Sequence, residues 1–315
     1  MVRKISTGAR RLKRAEMMTS TMKIRRFSGD FWLSVFCHVL VGIITILMIY
    51  PLVYVFSMSI SAPQYVNTGK VLLWPMGFTL QAYGLLFDSG VIWSRYMNSL
   101  IIIVLGVSTN FIVTVLAAYA FSRKDFILRK AGMVFVVITM FFSGGMIPAY
   151  LLVSMLGLMN TYWSVVLPSA ASAWLIIIAR TYFLTIPDGI VESGKIDGCS
   201  EFGILFRIML PLSLPVIAVI VLFSAVNHWN SYFSAMLYIT DQSKQPIQLY
   251  LARIVMSMQP DKIMRDVASQ VINKNTYREQ VKYAVIIVTI LPIMSAYPIL
   301  QKYFITGLSV GGIKS

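Results

Sequence analysis

Residues 192–211 read ESGKIDGCSEFGILFRIMLP, five charges and three glycines inside a chain that is otherwise mostly apolar. Of the 315 residues, 57% are hydrophobic and only 12% charged. A soluble protein averages nearer ~25% charged, so the chain reads as a membrane protein before any motif is considered. The formal charge of +15 does not point to nucleic acid, because the lysines and arginines gather at the ends of apolar runs rather than on one solvated face. That distribution is the positive-inside pattern, with the bases on the cytoplasmic side.

Crossing the hydrocarbon core takes roughly 20 apolar residues in a helix, since unpaired backbone groups cannot face lipid. Six runs qualify: 31–58, 97–121, 131–156, 163–184, 212–239 and 281–304. The expected fold is therefore an all-α integral membrane protein with six transmembrane helices. A basic leader, residues 1–30, carries nine Lys and Arg, which places the N-terminus in the cytoplasm. The first run is too long for a signal-peptide core and lacks a small-residue cleavage site, so it reads as an uncleaved span. Alternation then puts residues 59–96 outside, the basic loop 122–130 inside, residues 192–211 inside, and the tail 305–315 inside. Residues 241–280 fall outside although Lys244, Arg253, Lys262, Arg265, Lys274 and Arg278 lie there, an exception to the rule. Leu251, Ile254 and Met258 recur at helical spacing in that loop, which predicts a scoop on the outer face.

None of the six runs holds a carboxylate, so a proton-driven carrier or a voltage sensor is disfavoured. His38 and His228 are the only histidines, and Cys37 and Cys199 both lie away from the oxidising side, which argues against a metal site and a disulfide. Gly307–Gly311 matches G-x-S-x-G, but no acid and histidine come after it. The last residues also miss the phosphate-loop pattern, because Ile313 separates Gly312 from Lys314. A membrane-embedded enzyme therefore has no candidate active site. A stand-alone facilitator or channel, the alternative reading, would be expected to show a repeat of three-span halves, and none is visible.

In residues 192–211 and just before them, Asp188 after Pro187 is the expected cap of a helix from 189 to 196, and Gly198 the residue that stops it. Ser200 and Glu201 would cap a second helix, 201–209, with Phe202, Leu205, Phe206 and Met209 on one face and Pro211 at its end. A helix, a bend and a helix, mixed in charge and partly apolar, suit a protein-docking knob.

The stretch resembles the cytoplasmic loop of ABC-importer permeases, E-A-A, three residues, G, nine residues, I-x-L-P. Glu192 takes the Glu position, Gly198 the Gly, Ile208 the Ile, and Leu210 with Pro211 the Leu-Pro; Ser193 and Gly194 replace the two alanines. Further segments are similar to the carbohydrate-uptake branch that carries oligosaccharides and related glycans. They are AAYAFSR (117–123), Met146-Ile147-Pro148, Leu156-Gly157-Leu158, Trp229-Asn230, and Gln301-Lys302-Tyr303-Phe304 with Gly307 and Gly311-Gly312-Ile313-Lys314. The resemblance implies a type I importer permease, its core at 97–304 and its coupling loop at about 186–211. It implies a second homologous permease, two cytoplasmic ATPase subunits holding ATP and Mg, an extracellular sugar-binding lipoprotein, and surrounding lipid of a bacterial cell membrane. It implies no cofactor in this chain and no catalysis by it. Glu192, Ser193, Gly194, Asp197, Gly198, Ile208, Leu210 and Pro211 would couple to the ATPase. For the glycan path, hydrogen-bonding and aromatic side chains at membrane depth are the candidates: Asn110, Thr114, Ser143, Asn227, Trp229, Asn230 and Tyr232.

Overall fold

The computed structural model describes residues 29–256 and 277–312, with side chains over 31–256 and 277–295. The leader and the loop 257–276, including Met258 of the expected scoop, lie outside the described residues. Helix dominates, and among the described residues the only β pairing is one bridge between Ser61 and Phe78.

Two helices are each long and apolar enough to cross a membrane alone. They are α1, Gly29–Ser59, whose most apolar stretch is unburied, and α4, Val91–Ser122. Between them lie two short helices, α2 (Pro63–Asn67) and α3 (Gln81–Asp88). The second long helix thus begins six residues before the apolar run does, with Arg95 buried over the Tyr250 ring (5.7 Å).

The next three apolar runs are not straight helices. The third is α5 (Arg129–Phe141) and α6 (Met146–Met155), bent by 114°. Ser143-Gly144-Gly145 makes the corner, and Gly145, at φ +83°, takes a conformation that other residues avoid. The fourth is α7 (Trp163–Ser169, its last turn a 3-10 helix at Pro168) and α8 (Ala173–Phe183), bent by 53°. Ser172 caps α8 by accepting from the Leu175 N–H. The fifth comes after α9 (Asp188–Ile196) and α10 (Glu201–Leu212). It is α11 (Leu214–Trp229), which meets α10 at 88°, then α12 (Tyr232–Tyr238) after a break at Asn230–Ser231. The last two helices are α13 (Ile247–Met256) and α14 (Arg278–Gly312). Hydropathy reads apolar length and cannot register these corners, which glycine, proline and serine make. The C-terminal G-x-S-x-G lies within α14, not on a strand-to-helix turn.

α4 is the axis of the bundle, with α8 and α11 packed along it. Its buried face carries polar groups that hold its neighbours. Asn110 accepts from the Ser224 hydroxyl of α11 (2.8 Å) and the Thr114 hydroxyl (3.3 Å), and donates to the Ser169 carbonyl of α7 (3.3 Å). His228 of α11 donates from Nδ1 to the Ser224 carbonyl (2.8 Å), and its Nε2 faces the Ser169 hydroxyl (3.2 Å). Toward the N-terminal end of α4, Asn98 donates to the carbonyls of Ser243 (2.7 Å) and Gln245 (3.0 Å) and accepts from the Tyr162 hydroxyl (2.9 Å). α13 packs back on the bundle through Ile247 and Tyr250, beside Val281, Ala284 and Val285 of α14. Leu251 and Ile254, two of the residues expected in the scoop, pack against the same cluster.

At Gly106, α4 meets the His228 ring of α11 with no side chain between them. A Cβ there would sit 2.2 Å from the His228 ring, which its hydrogen bonds hold in place. Overpacking of this kind costs about 1–3 kcal/mol. Gly106→Ala should lower the thermal midpoint of the detergent-purified chain by several degrees, and adding His228→Ser should recover most of the loss. An unchanged midpoint in the single variant would contradict this packing.

Candidate functional site

The helix–bend–helix at residues 188–212 is built by local rules. The helix after Pro187 is α9, and Asp188 is its first residue rather than its cap. Its carboxylate makes no capping bond but accepts from Lys124 at 2.6 Å. Pro187 already supplies the extended entry, which leaves the aspartate free to reach the neighbouring loop. α9 ends in a Schellman turn: the Gly198 N–H donates to the Lys195 carbonyl (3.1 Å) and the Cys199 N–H to the Gly194 carbonyl (2.9 Å). Gly198 sits at φ +78° with no atom near its missing Cβ, so its role is conformational. Ser200 caps α10 by accepting from the Gly203 N–H at 3.2 Å.

α10 is α-helical only at its ends, because Ile204–Met209 forms a π-helix. The wider turn divides the apolar residues expected on one face. Ile204, Leu205 and Met209 are buried, whereas Phe202 and Phe206 are exposed. Pro211 does not end the helix; the break falls at Ser213. Ile208 lies against Gly194, where a Cβ would come within 2.7 Å of its Cδ1, so the two halves of the hairpin touch where α9 has no side chain. Leu210 packs on the main core cluster.

Val191, Ile204, Leu205 and Met209 pack the hairpin on the core, and exposed charges add surface links to the rest of the chain. Lys195 bridges to Glu201 (3.0 Å) and to Asp125 (3.2 Å), and the Tyr119 hydroxyl donates to Glu201 (2.6 Å). The Tyr119 and Lys195 bonds hold the Glu201 carboxyl below its ordinary value, and the Lys124 bond does the same for Asp188. Asp188 and Asp125 raise their lysine partners, with Glu201 the larger cause at Lys195. No ion pair among the described residues uses Glu192 or Asp197. Both face outward with Ser193 and with Ile196, which is 86% exposed at the tip.

The pathway candidates separate by burial. Asn110, Thr114 and Trp229 are inside the chain, and Trp229 meets Tyr96 at a tilt, ring centres 6.2 Å apart. Tyr232 is half-buried against Ile102 and Val165, and Asn230 is exposed, donating to the Val226 carbonyl. Ser143 is exposed at the corner between α5 and α6, and Asn227 is exposed on α11. One turn before Asn227, Phe223 meets Trp174 of α8 edge to face, ring centres 4.8 Å apart, with both rings more than a third exposed. The sequence reading missed this pair. The signal was the four-residue spacing of Phe223 and Asn227, which shares one helix face.

A family model described as "Binding-protein-dependent transport system inner membrane component" matches residues 110–310. The chain belongs to this family. It is 40% identical over 272 residues to the polygalacturonan/rhamnogalacturonan transport system permease protein YtcP of Bacillus subtilis, covering 85% of this chain and 93% of that one. It is 28% identical to the arabinooligosaccharides transport system permease protein AraQ of Halalkalibacterium halodurans, covering 86% and 93%. A chain from the crystal structure of a bacterial ABC transporter involved in the import of the acidic polysaccharide alginate superposes with a TM-score of 0.81 at 33% identity. That match covers 88% of this chain and 99% of the other. The protein is thus an importer permease, a membrane subunit rather than an enzyme.

In this permease, Gly198→Ala should loosen the bend by about 1–2 kcal/mol, the usual penalty of a left-handed non-glycine residue. Trypsin cleavage at Lys195 should then quicken several-fold, and an unchanged rate would contradict the Schellman geometry. The depressed carboxyls and raised lysines keep both pairs ionised from below the ordinary carboxylate range, about pH 4, to above the ordinary lysine value near 10.5. Their stability is present at neutral pH. It is lost as pH falls through the depressed carboxyl values or rises through the raised lysine ones. The same cleavage assay should show no pH-dependent opening between pH 6 and pH 9 once corrected for protease activity.

Proposed function

We propose that this permease forms half of a translocation pathway for an acidic oligosaccharide, with a second homologous permease completing it. Two cytoplasmic ATPase subunits with ATP and Mg would bind at α9, and an extracellular binding protein would deliver the glycan. The observation that carries the reading is the capped, ion-paired hairpin with Ile196, Glu192 and Asp197 exposed at its end. A stiff protrusion transmits movement, and its apolar tip with carboxylates beside it suits a groove that holds basic groups. Cytoplasmic termini accord with the same reading.

A path between two permeases must be lined by residues that are exposed in either one alone. Trp174, Phe223 and Asn227 meet that condition, offering flat aromatic faces and an amide to a sugar ring. Ser143 and Asn230 share the exposure, whereas Asn110, Thr114 and Trp229 act through packing. An acidic glycan is favoured because the 40%-identical and 33%-identical relatives are named for polygalacturonan/rhamnogalacturonan and for alginate. It also accounts for the bases of residues 241–280, which lie on the outer side in this topology, where a basic field draws an anionic ligand.

The test is ATP hydrolysis and uptake by the complete importer in proteoliposomes, with oligogalacturonate and a neutral oligosaccharide of equal length. The acidic sugar should stimulate hydrolysis several-fold more than the neutral one. Equal responses would remove the acidic assignment, and no response to any oligosaccharide would remove glycan import. Trp174→Ala and Asn227→Leu should each raise the half-saturating concentration of the transported sugar about five- to tenfold, or about 1–1.4 kcal/mol.

A further inference from the structure

AAYAFSRKD, residues 117–125, joins the inner end of α4 to the turn before α5, and nothing in the proposed function employs it. Contacts from this segment nonetheless reach both helices of the hairpin. Lys124 holds Asp188, the first residue of α9 (2.6 Å), and Asp125 holds Lys195 in its last turn (3.2 Å). Two consecutive residues of opposite sign thus grip the two ends of one helix, itself of opposite polarity. Tyr119 donates to Glu201 at the start of α10 (2.6 Å). The Phe121 carbonyl, at the end of α4, accepts from Arg180 of α8 (3.0 Å), just before the chain enters the hairpin. Arg123 lies over the Tyr119 ring, 5.1 Å from its centre.

We infer that residues 119–125 are a positioning clamp that fixes α9 to the inner end of α4, so that a displacement of α9 moves α4 as one body with it. The inference rests on the reading of α9 as the coupling helix. Packing alone is a poorer connection on one flank, because a cavity of about 360 Å³ opens there among Leu116, Tyr119, Phe126, Phe202 and Leu205. The Tyr119–Glu201 bond joins two residues that line that gap. The chemistry of the ion pairs fits the task, since Lys124–Asp188 and Asp125–Lys195 set the tilt of α9 at both ends while the shared Lys195–Glu201 bridge fixes the hairpin angle. α4 then runs 32 residues, about 48 Å, to the other side of the bundle.

The experiment uses the assembled importer in a Cys37→Ser/Cys199→Ser background, with maleimide labelling of Asn227→Cys, on a helix packed against α4, before and after trapping ADP with vanadate. Trapping should change the labelling rate at least threefold in the parent. Lys124→Asp and Asp188→Lys should each halve that change or more, per trapped nucleotide. The double exchange, which rebuilds the pair with its signs swapped, should restore most of it, a rescue that a folding defect would not give. Tyr119→Phe, one oxygen smaller, should also reduce the change. Full response in the single variants, or an exchange no better than either single, overturns the clamp. Loss of the response in the parent itself would instead overturn the coupling assignment beneath it, and the clamp with it. Ile196→Asp separates the two levels, since it should abolish ATPase capture if α9 docks there and leave the clamp contacts untouched.

Discussion

An amide inside a bilayer has no water to fall back on, and Asn110 shows how this chain meets that constraint. Its carbonyl and amino groups are satisfied from α4, α7 and α11 at once, so three segments distant in sequence share a single side chain. Each such bond adds only about 0.6 kcal/mol on average, because the unfolded chain in lipid also finds partners. Its larger effect is to specify which helices meet and at what depth. His228 extends the network by one turn, and the missing side chain of Gly106 makes room for its ring. With α4 fixed in this way, the segment at Ser243–Ile247 and the hairpin of α9 and α10 can both be hung from its two ends.

Corners inside the apolar runs carry a second consequence of the same constraint. Each bend releases backbone groups that lipid cannot satisfy, so bends belong where protein or a water-lined cavity is adjacent. The bends fall at Ser143–Gly145, Ala170–Ser172 and Ser213. Ser172 answers with its own cap, and Ser143 does the same for the Gly145 N–H. The exposed Trp174 lies just past the second corner, in the first turn of α8, so the break that disturbs the span also presents the ring.

Apolar length, the basic leader and the EAA-type spacing were enough to identify the family and an all-α membrane fold from residues alone. Gly198 as a left-handed stop and Ser200 as a cap were equally legible, because both depend on a single residue's chemistry. The role of Asp188 was not, since its partner Lys124 lies 64 residues away and no local rule names it. The partition of pathway candidates was hidden for a related reason: Asn110 and Asn227 are the same residue type in similar apolar surroundings, and only packing shows that one faces inward and the other out. Corners escaped because a hydropathy window averages over the few residues that form them.

The π-helix at Ile204–Met209 gives the hairpin an unusual kind of slack. A π turn takes up a surplus residue without rotating the downstream helix, where an ordinary α-helix would swing by about 100° per residue. Relative to a regular α-helix, the surplus sits in Ile204–Met209 itself. Tolerance of length is consequently one-sided here. Losing a residue lets the turn relax to α and keeps α11 in phase with α9, whereas gaining one has nowhere to go.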